Sequence, residues 1–90
     1  MDARWIADDG HAWLKVPRAE VEPLGIKISH YSYLDEAYVY LEEDMDAEAF
    51  LLRLIPDGRY SIDHKLDGEP IEYERVNGLS KIRDLDSVYN

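Results

Sequence analysis

Residues 35 to 48 hold seven carboxylates, Asp35, Glu36, Glu42, Glu43, Asp44, Asp46 and Glu48, with no Lys or Arg among them. Carboxylates at this density suit three kinds of chemistry: holding a hard cation, acid–base work in pairs, and recognition of a basic surface. The first fails on spacing. Asp44, Asp46 and Glu48 alternate like the start of a calcium loop, but the sixth position would be Ala49 and the twelfth Ile55, where Gly and Glu are required. His11, His30 and His64 are far apart, without an H-x-x-x-H or H-E-x-x-H pattern, and the chain has no cysteine, so no metal site is expected. Acid–base work has little more support. His11 beside Asp8 and Asp9, and His64 beside Asp63, read as ordinary solvated histidines. No G-x-S-x-G elbow, phosphate loop or dinucleotide fingerprint is present, which predicts no enzyme and no cofactor. Recognition of a basic surface is the chemistry left. Crowded like charges repel, and function is one reason for a fold to tolerate them.

The elements that must position these groups follow from periodicity. Residues 3 to 8 and 11 to 16 flank Asp9-Gly10, a dipeptide suited to a tight hairpin turn, and Pro17 ends the second strand. Ala12, Leu14 and Val16 share one face of that strand, and His11, Trp13 and Lys15 the other. A short helix over about 18–24 is predicted to stop at Gly25. Residues 26 to 42 read as two further strands. With the turn centred on Asp35-Glu36, Tyr33 faces Tyr38 and Tyr31 faces Tyr40, which puts all four tyrosines on one face and leaves Ser32, Leu34, Ala37, Val39 and Leu41 toward the core. Glu42 continues the tyrosine face by alternation.

The acidic run then leads into a helix over about 46–55, with Ala47, Phe50, Leu51 and Leu54 at helical spacing and Pro56-Asp57-Gly58 as its stop. Asp44 or Asp46 is expected to cap it. Carboxylates near its positive end gain about 0.3–1 kcal/mol each, but capping needs only one or two, so the surplus falls on Glu42 and Glu43. Asp67-Gly68 predicts a second hairpin between residues 59–66 and 70–76, and Asn77-Gly78 a further turn. The expectation is one α+β domain over 1–90, a small antiparallel sheet built from hairpins with one principal helix.

Composition narrows the partner. Twenty Asp and Glu against ten Lys and Arg give a formal charge of -10, which opposes direct binding to nucleic acid and to anionic membrane. At 46% hydrophobic residues the chain is not compositionally disordered. No window approaches the roughly 20 apolar residues of a membrane span, and MDARWIADDGHAW does not read as a secretory signal, so a soluble, cytoplasmic protein is expected.

Three stretches carry a resemblance. Gly10-His11-Ala12-Trp13-Leu14-Lys15-Val16-Pro17, Ile28-Ser29-His30-Tyr31-Ser32-Tyr33 and Tyr40-Leu41-Glu42-Glu43-Asp44-Met45-Asp46-Ala47 resemble an uncharacterised family of small acidic proteins of bacterial, phage and plasmid genomes. Ser80-Lys81-Ile82-Arg83 with Tyr89 is similar to that family's ending. Ala12 replaces a glycine of the family pattern and Met45 its usual cysteine. The resemblance implies no activity; a mobile-element setting favours, by analogy, small acidic inhibitors of host nucleic-acid machinery.

The expected function is a non-enzymatic interaction protein that binds a basic, nucleic-acid-binding protein through Tyr31, Tyr33, Asp35, Glu36, Tyr38, Tyr40, Glu42, Glu43, Asp44, Asp46 and Glu48. DNA mimicry is its sharpest form. Duplex DNA carries one charge per about 1.7 Å, whereas same-face strand residues lie about 6.6 Å apart, so a mimic needs Asp35 and Glu36 to converge with the run from Glu42 to Glu48. Two alternatives stand beside it. One is a small ligand-binding domain or enzyme with the tyrosine face as a pocket wall and His30 nearby; the other is a homodimer or larger homo-oligomer paired through that face or an edge strand.

Overall fold

The computed structural model of the chain describes residues 2–7, 10–54, 65–66, 69–75 and 86–87. Strand β1 (Arg4–Ala7) pairs antiparallel with strand β2 (Ala12–Pro17), Ala7 opposite Ala12, so the first hairpin lies where Asp9-Gly10 predicts it. Among the described residues Gly25 has the left-handed backbone, at φ 65°. Pro17 closes β2 and precedes helix α1 (Arg18–Val21), which tightens into a 3₁₀ turn at Glu22–Leu24 and stops at Gly25. Pro23 has no amide to donate, which is why the predicted helix is split.

Strand β3 (Tyr33–Leu34) pairs with strand β4 (Tyr38–Glu42), but not in the expected register. Tyr33 stands opposite Tyr40 and Leu34 opposite Val39. The cause is Asp35. Its Oδ1 accepts the amides of Ala37 (2.9 Å) and Tyr38 (2.7 Å), and its own amide donates to the Tyr38 carbonyl (3.0 Å). This side-chain turn centres the loop on Glu36-Ala37 instead of Asp35-Glu36. The slip is two residues, so side chains keep their faces, but Tyr31 loses its strand partner. It sits instead in a turn where the Ser32 amide donates to the Ser29 carbonyl (3.3 Å).

Helix α2 (Asp46–Leu54) follows β4. In the C-terminal half, β5 (Lys65–Leu66) and β6 (Glu69–Pro70) pair antiparallel around the predicted Asp67-Gly68 position. Strand β7 (Glu72–Arg75) runs parallel to β1, and β8 (Asp86–Ser87) antiparallel to β3, giving the order β7-β1-β2-β4-β3-β8. The parallel edge departs from the all-hairpin expectation; the long chain between β1 and β7 supplies the crossover that such a pair needs. Asp8-Asp9, Pro56-Asp57-Gly58, the Asn77-Gly78 turn, Ser80 to Arg83 and Tyr89 lie outside the described residues.

The fold is α+β, and its sheet has two unlike faces. On one, Trp5, Leu14, Val16, Val39 and Leu41 pack against Ala47, Phe50 and Leu51 of α2 and Val21 of α1. Leu54, expected in this core, is 37% exposed at the end of α2. On the other face Ile6, Trp13 and Tyr40 form a smaller cluster flanked by Tyr33 and Tyr38. Among the described residues no helix is long and apolar enough to cross a membrane.

Candidate functional site

The second face of the sheet divides into two ends, because β4 carries Tyr38, Tyr40 and Glu42 along it in sequence. At the Tyr38 end the polar groups are already matched. The Lys15 ammonium lies 4.2 Å from the Tyr38 ring centroid, the Tyr38 hydroxyl donates to Asp2 (2.9 Å), and the Tyr40 hydroxyl donates to Asp35 (2.8 Å). Burial and the Asp35 carboxylate push the Tyr40 phenol well above its ordinary range. Burial raises the Asp35 carboxyl, but the amides of Tyr38 and Ala37, the Tyr40 hydroxyl and the Lys15 charge outweigh it and hold the group below its ordinary value. Asp35 is therefore a turn-former. Glu36 is exposed beside it.

At the Glu42 end the β2·β4 register sets Glu42 opposite Trp13. Here an open pocket of about 280 Å³ is lined by His11, Trp13, Tyr31, Tyr33, Glu42 and Asp44. Trp13 is its floor, only 2% exposed, with the His11 ring stacked at 5.8 Å and the Tyr33 ring edge-on at 6.3 Å. Tyr31 is an open wall, 60% exposed, with its ring against His30 at 4.2 Å.

Two sets of bonds hold this pocket together. The Trp13 indole N–H donates to the Tyr31 carbonyl (3.4 Å), tying the Ser29–Ser32 turn to β2. On the other side Asp46, 2% exposed, accepts the Ser29 amide with both oxygens (3.1 and 3.0 Å), the Ser29 hydroxyl (2.7 Å) and the Ser32 hydroxyl. Ser32 Oγ in turn accepts the Glu42 amide (2.9 Å). The same buried network thus anchors Tyr31 and Glu42 together.

The carboxylates divide their roles differently from the sequence expectation. Neither Asp44 nor Asp46 caps α2 by its side chain; the first helical bond runs from the Ala49 amide to the Met45 carbonyl (3.0 Å). Glu42, expected to be surplus, accepts the amides of Asp44 and Met45, each at 3.0 Å. Its strand position aims it back over the turn, which is why it satisfies donors just before the helix. Asp44 is exposed on the pocket rim, and Met45 beside it in sequence is 66% exposed. Glu48 is half-buried in the first turn of α2.

Glu43 is half-buried and lies outside the pocket lining. Burial, then repulsion from Asp44 and Glu42, raise its carboxyl above the ordinary value, against a smaller opposing pull from His11 and the Ala12 amide. An acid raised in the folded state favours folding when protonated and opposes it once ionised, so the penalty appears as pH rises through the folded pKa. We expect Glu43→Gln to stabilise the protein at pH 7 by less than about 1 kcal/mol, with the gain shrinking in high salt and vanishing where both states are protonated. Urea midpoints of the two proteins at pH 7 and in acid check this; a Gln variant weaker at pH 7 would show that His11 and Ala12 prevail.

The structure brings together Tyr31, Tyr33, Glu42 and Asp44 of the predicted set. Tyr38 stands at the other end of β4, about 13 Å from Glu42 along a five-residue strand, with Asp35 and Glu36 in the loop before it, while Tyr40 lies midway, opposite Tyr33 and packed with Trp13. The convergence required for duplex mimicry is therefore not met between these two groups. His11 and Trp13 line the pocket but are not among the contact residues expected from the sequence. Strand alternation puts His11 and Trp13 on one face, but only the cross-strand neighbour Glu42 reveals which face that is. Among the described residues no group of three or more His, Cys, Asp or Glu is arranged to hold a metal ion.

No protein-family model, curated protein or solved structure that was compared with the chain matches it.

Proposed function

We propose that this is a non-enzymatic interaction protein that binds a basic, nucleic-acid-binding protein through the Glu42 end of the sheet. The observation that carries this reading is the coincidence of exposed contact area with unneutralised acid. Tyr31, 60% exposed, lines a pocket edged by Glu42 and Asp44, and Met45, which follows Asp44 in sequence, is 66% exposed. Exposed Tyr and Met are favoured at interfaces, and acid beside them selects a basic surface. In this reading the protein works in the cytoplasm, and its motif resemblance points to an inhibitor from a mobile element. Recognition uses a compact patch and not a lattice of charges spaced like DNA. Small-molecule binding fits less well, since drug-sized ligands occupy enclosing, mostly apolar pockets and this one is open and edged by two carboxylates.

The test is a pull-down at low and high salt with wild type, an Asp44→Lys, Met45→Ser double variant and a Glu36→Lys variant. A basic protein retained at low salt should be lost from the double variant and kept by Glu36→Lys, which alters charge at the far end. Identical captured proteins from all three would reject the patch.

A further inference from the structure

Resting on the reading that this end of the sheet binds a basic protein, we infer that the pocket over Trp13 receives a single arginine side chain of that partner. Size is the first argument. An open space of about 280 Å³ has room for one long side chain.

Chemistry is the second. Of the six described lining residues four carry aromatic or imidazole rings, the other two are Glu42 and Asp44, and none of these six is Lys or Arg. Three cations elsewhere on the surface have acidic or aromatic neighbours of their own: Lys15 lies over Tyr38, Arg18 pairs with Glu22 at 2.6 Å, and Arg4 pairs with Glu72 at 3.4 Å. A cation arriving from outside would therefore find both ring faces and carboxylates. Aromatic rings attract a cation held over them, and adjacent carboxylates add charge-assisted hydrogen bonds.

The choice of arginine follows from shape. A guanidinium is flat, stacks on a ring and directs N–H donors in its own plane. Tyr31 offers the exposed ring, while Glu42 is held in a fixed orientation by two backbone amides and keeps acceptor capacity on its oxygens. A methylated ammonium would need ring faces on several sides and cannot use carboxylate acceptors fully. Here the Trp13 ring is covered by His11, stacked at 22° between planes, and is almost wholly buried.

The experiment is a ¹H–¹⁵N NMR titration of the full chain with Nα-acetyl-arginine amide, alongside Nα-acetyl-citrulline amide and tetramethylammonium. The Trp13 indole signal and the amides of Tyr31, Tyr33 and Asp44 should move saturably with arginine amide, with a dissociation constant on the order of 1 mM. Citrulline, the neutral isostere, should bind at least about tenfold more weakly. Tyr31→Ala should raise the constant about fivefold, and Asp44→Asn about twofold to fivefold. Unmoved pocket signals, an equal response to citrulline, or tighter binding of tetramethylammonium would each overturn the inference. If the pocket signals stay unmoved while the Asp44→Lys, Met45→Ser variant still releases a captured partner, the arginine inference falls and the interaction reading stands. If arginine amide binds but that variant captures the same proteins as wild type, the pocket keeps its ligand chemistry and the interaction reading falls.

Discussion

Asp46→Ala is expected to lower the unfolding free energy by about 3–4 kcal/mol. The carboxylate is almost wholly buried and accepts the Ser29 amide and hydroxyl and the Ser32 hydroxyl. Hydrogen bonds to a charged acceptor contribute about 1.5–3 kcal/mol each, but these share one group and do not add. Alanine leaves the Ser29 amide without this acceptor and the two hydroxyls to find others in a nearly dry space. Urea unfolding should show a lower midpoint with an unchanged slope, since the surface exposed on unfolding stays the same. Asp46→Asn, which retains one acceptor oxygen, should lose less. A second readout separates this clasp from generic packing: the Trp13 indole N–H, which donates to the Tyr31 carbonyl, should shift in the Ala variant as the Ser29–Ser32 turn loosens. A loss below about 1 kcal/mol with an unmoved indole signal would mean that the turn is held some other way.

Phe50→Ala should cost about 3–5 kcal/mol, the range for deleting a fully buried phenyl group and leaving part of its volume empty. Phe50 has no exposure and sits with Ala47 and Leu51 on the face of α2 that covers the sheet. A domain of this size has about 5–15 kcal/mol in total, so the variant should be close to its unfolding threshold at ordinary temperature. Leu54→Ala is the matched control. That residue lies on the same helix but is 37% exposed, and its truncation should cost less than about 1 kcal/mol. Thermal or urea unfolding of the pair decides whether α2 is pinned through Phe50; similar losses for both would place the anchor elsewhere.

These two residues also mark how far sequence reasoning reaches. Phe50 is legible as core because Ala47, Phe50 and Leu51 recur at helical spacing, and a period of 3.6 translates directly into a buried stripe. Leu54 continues the same spacing yet escapes the stripe because the helix ends there. Asp46 reads as a cap, and nothing in its neighbourhood along the chain signals otherwise. Its partners Ser29 and Ser32 are 17 and 14 residues away and become neighbours only when the Ser29–Ser32 turn folds against the start of α2. Glu42 shows the complementary case. Alternation places it correctly on the tyrosine face, but its bonds to Asp44 and Met45 depend on the chain turning sharply after β4.

By itself the sequence determined the quantities that are periodic or additive. These are the sign and size of the charge, the faces of the strands, the positions of α1 and α2, the stop at Gly25, and the antiparallel pairing of β1 with β2 and of β5 with β6. Side chains alternate strictly, so face assignment survives even a two-residue error in pairing. Only the tertiary structure decided the register of β3 against β4, the work done by each carboxylate, and the existence of the pocket over Trp13. The physical reason is that alternation constrains direction and not position. Position was set by Asp35 capturing the amides of its own loop and by Asp46 clasping a distant turn. Strand pairing then brought Trp13 beside Glu42, and none of these contacts carries a repeat that can be read along the chain.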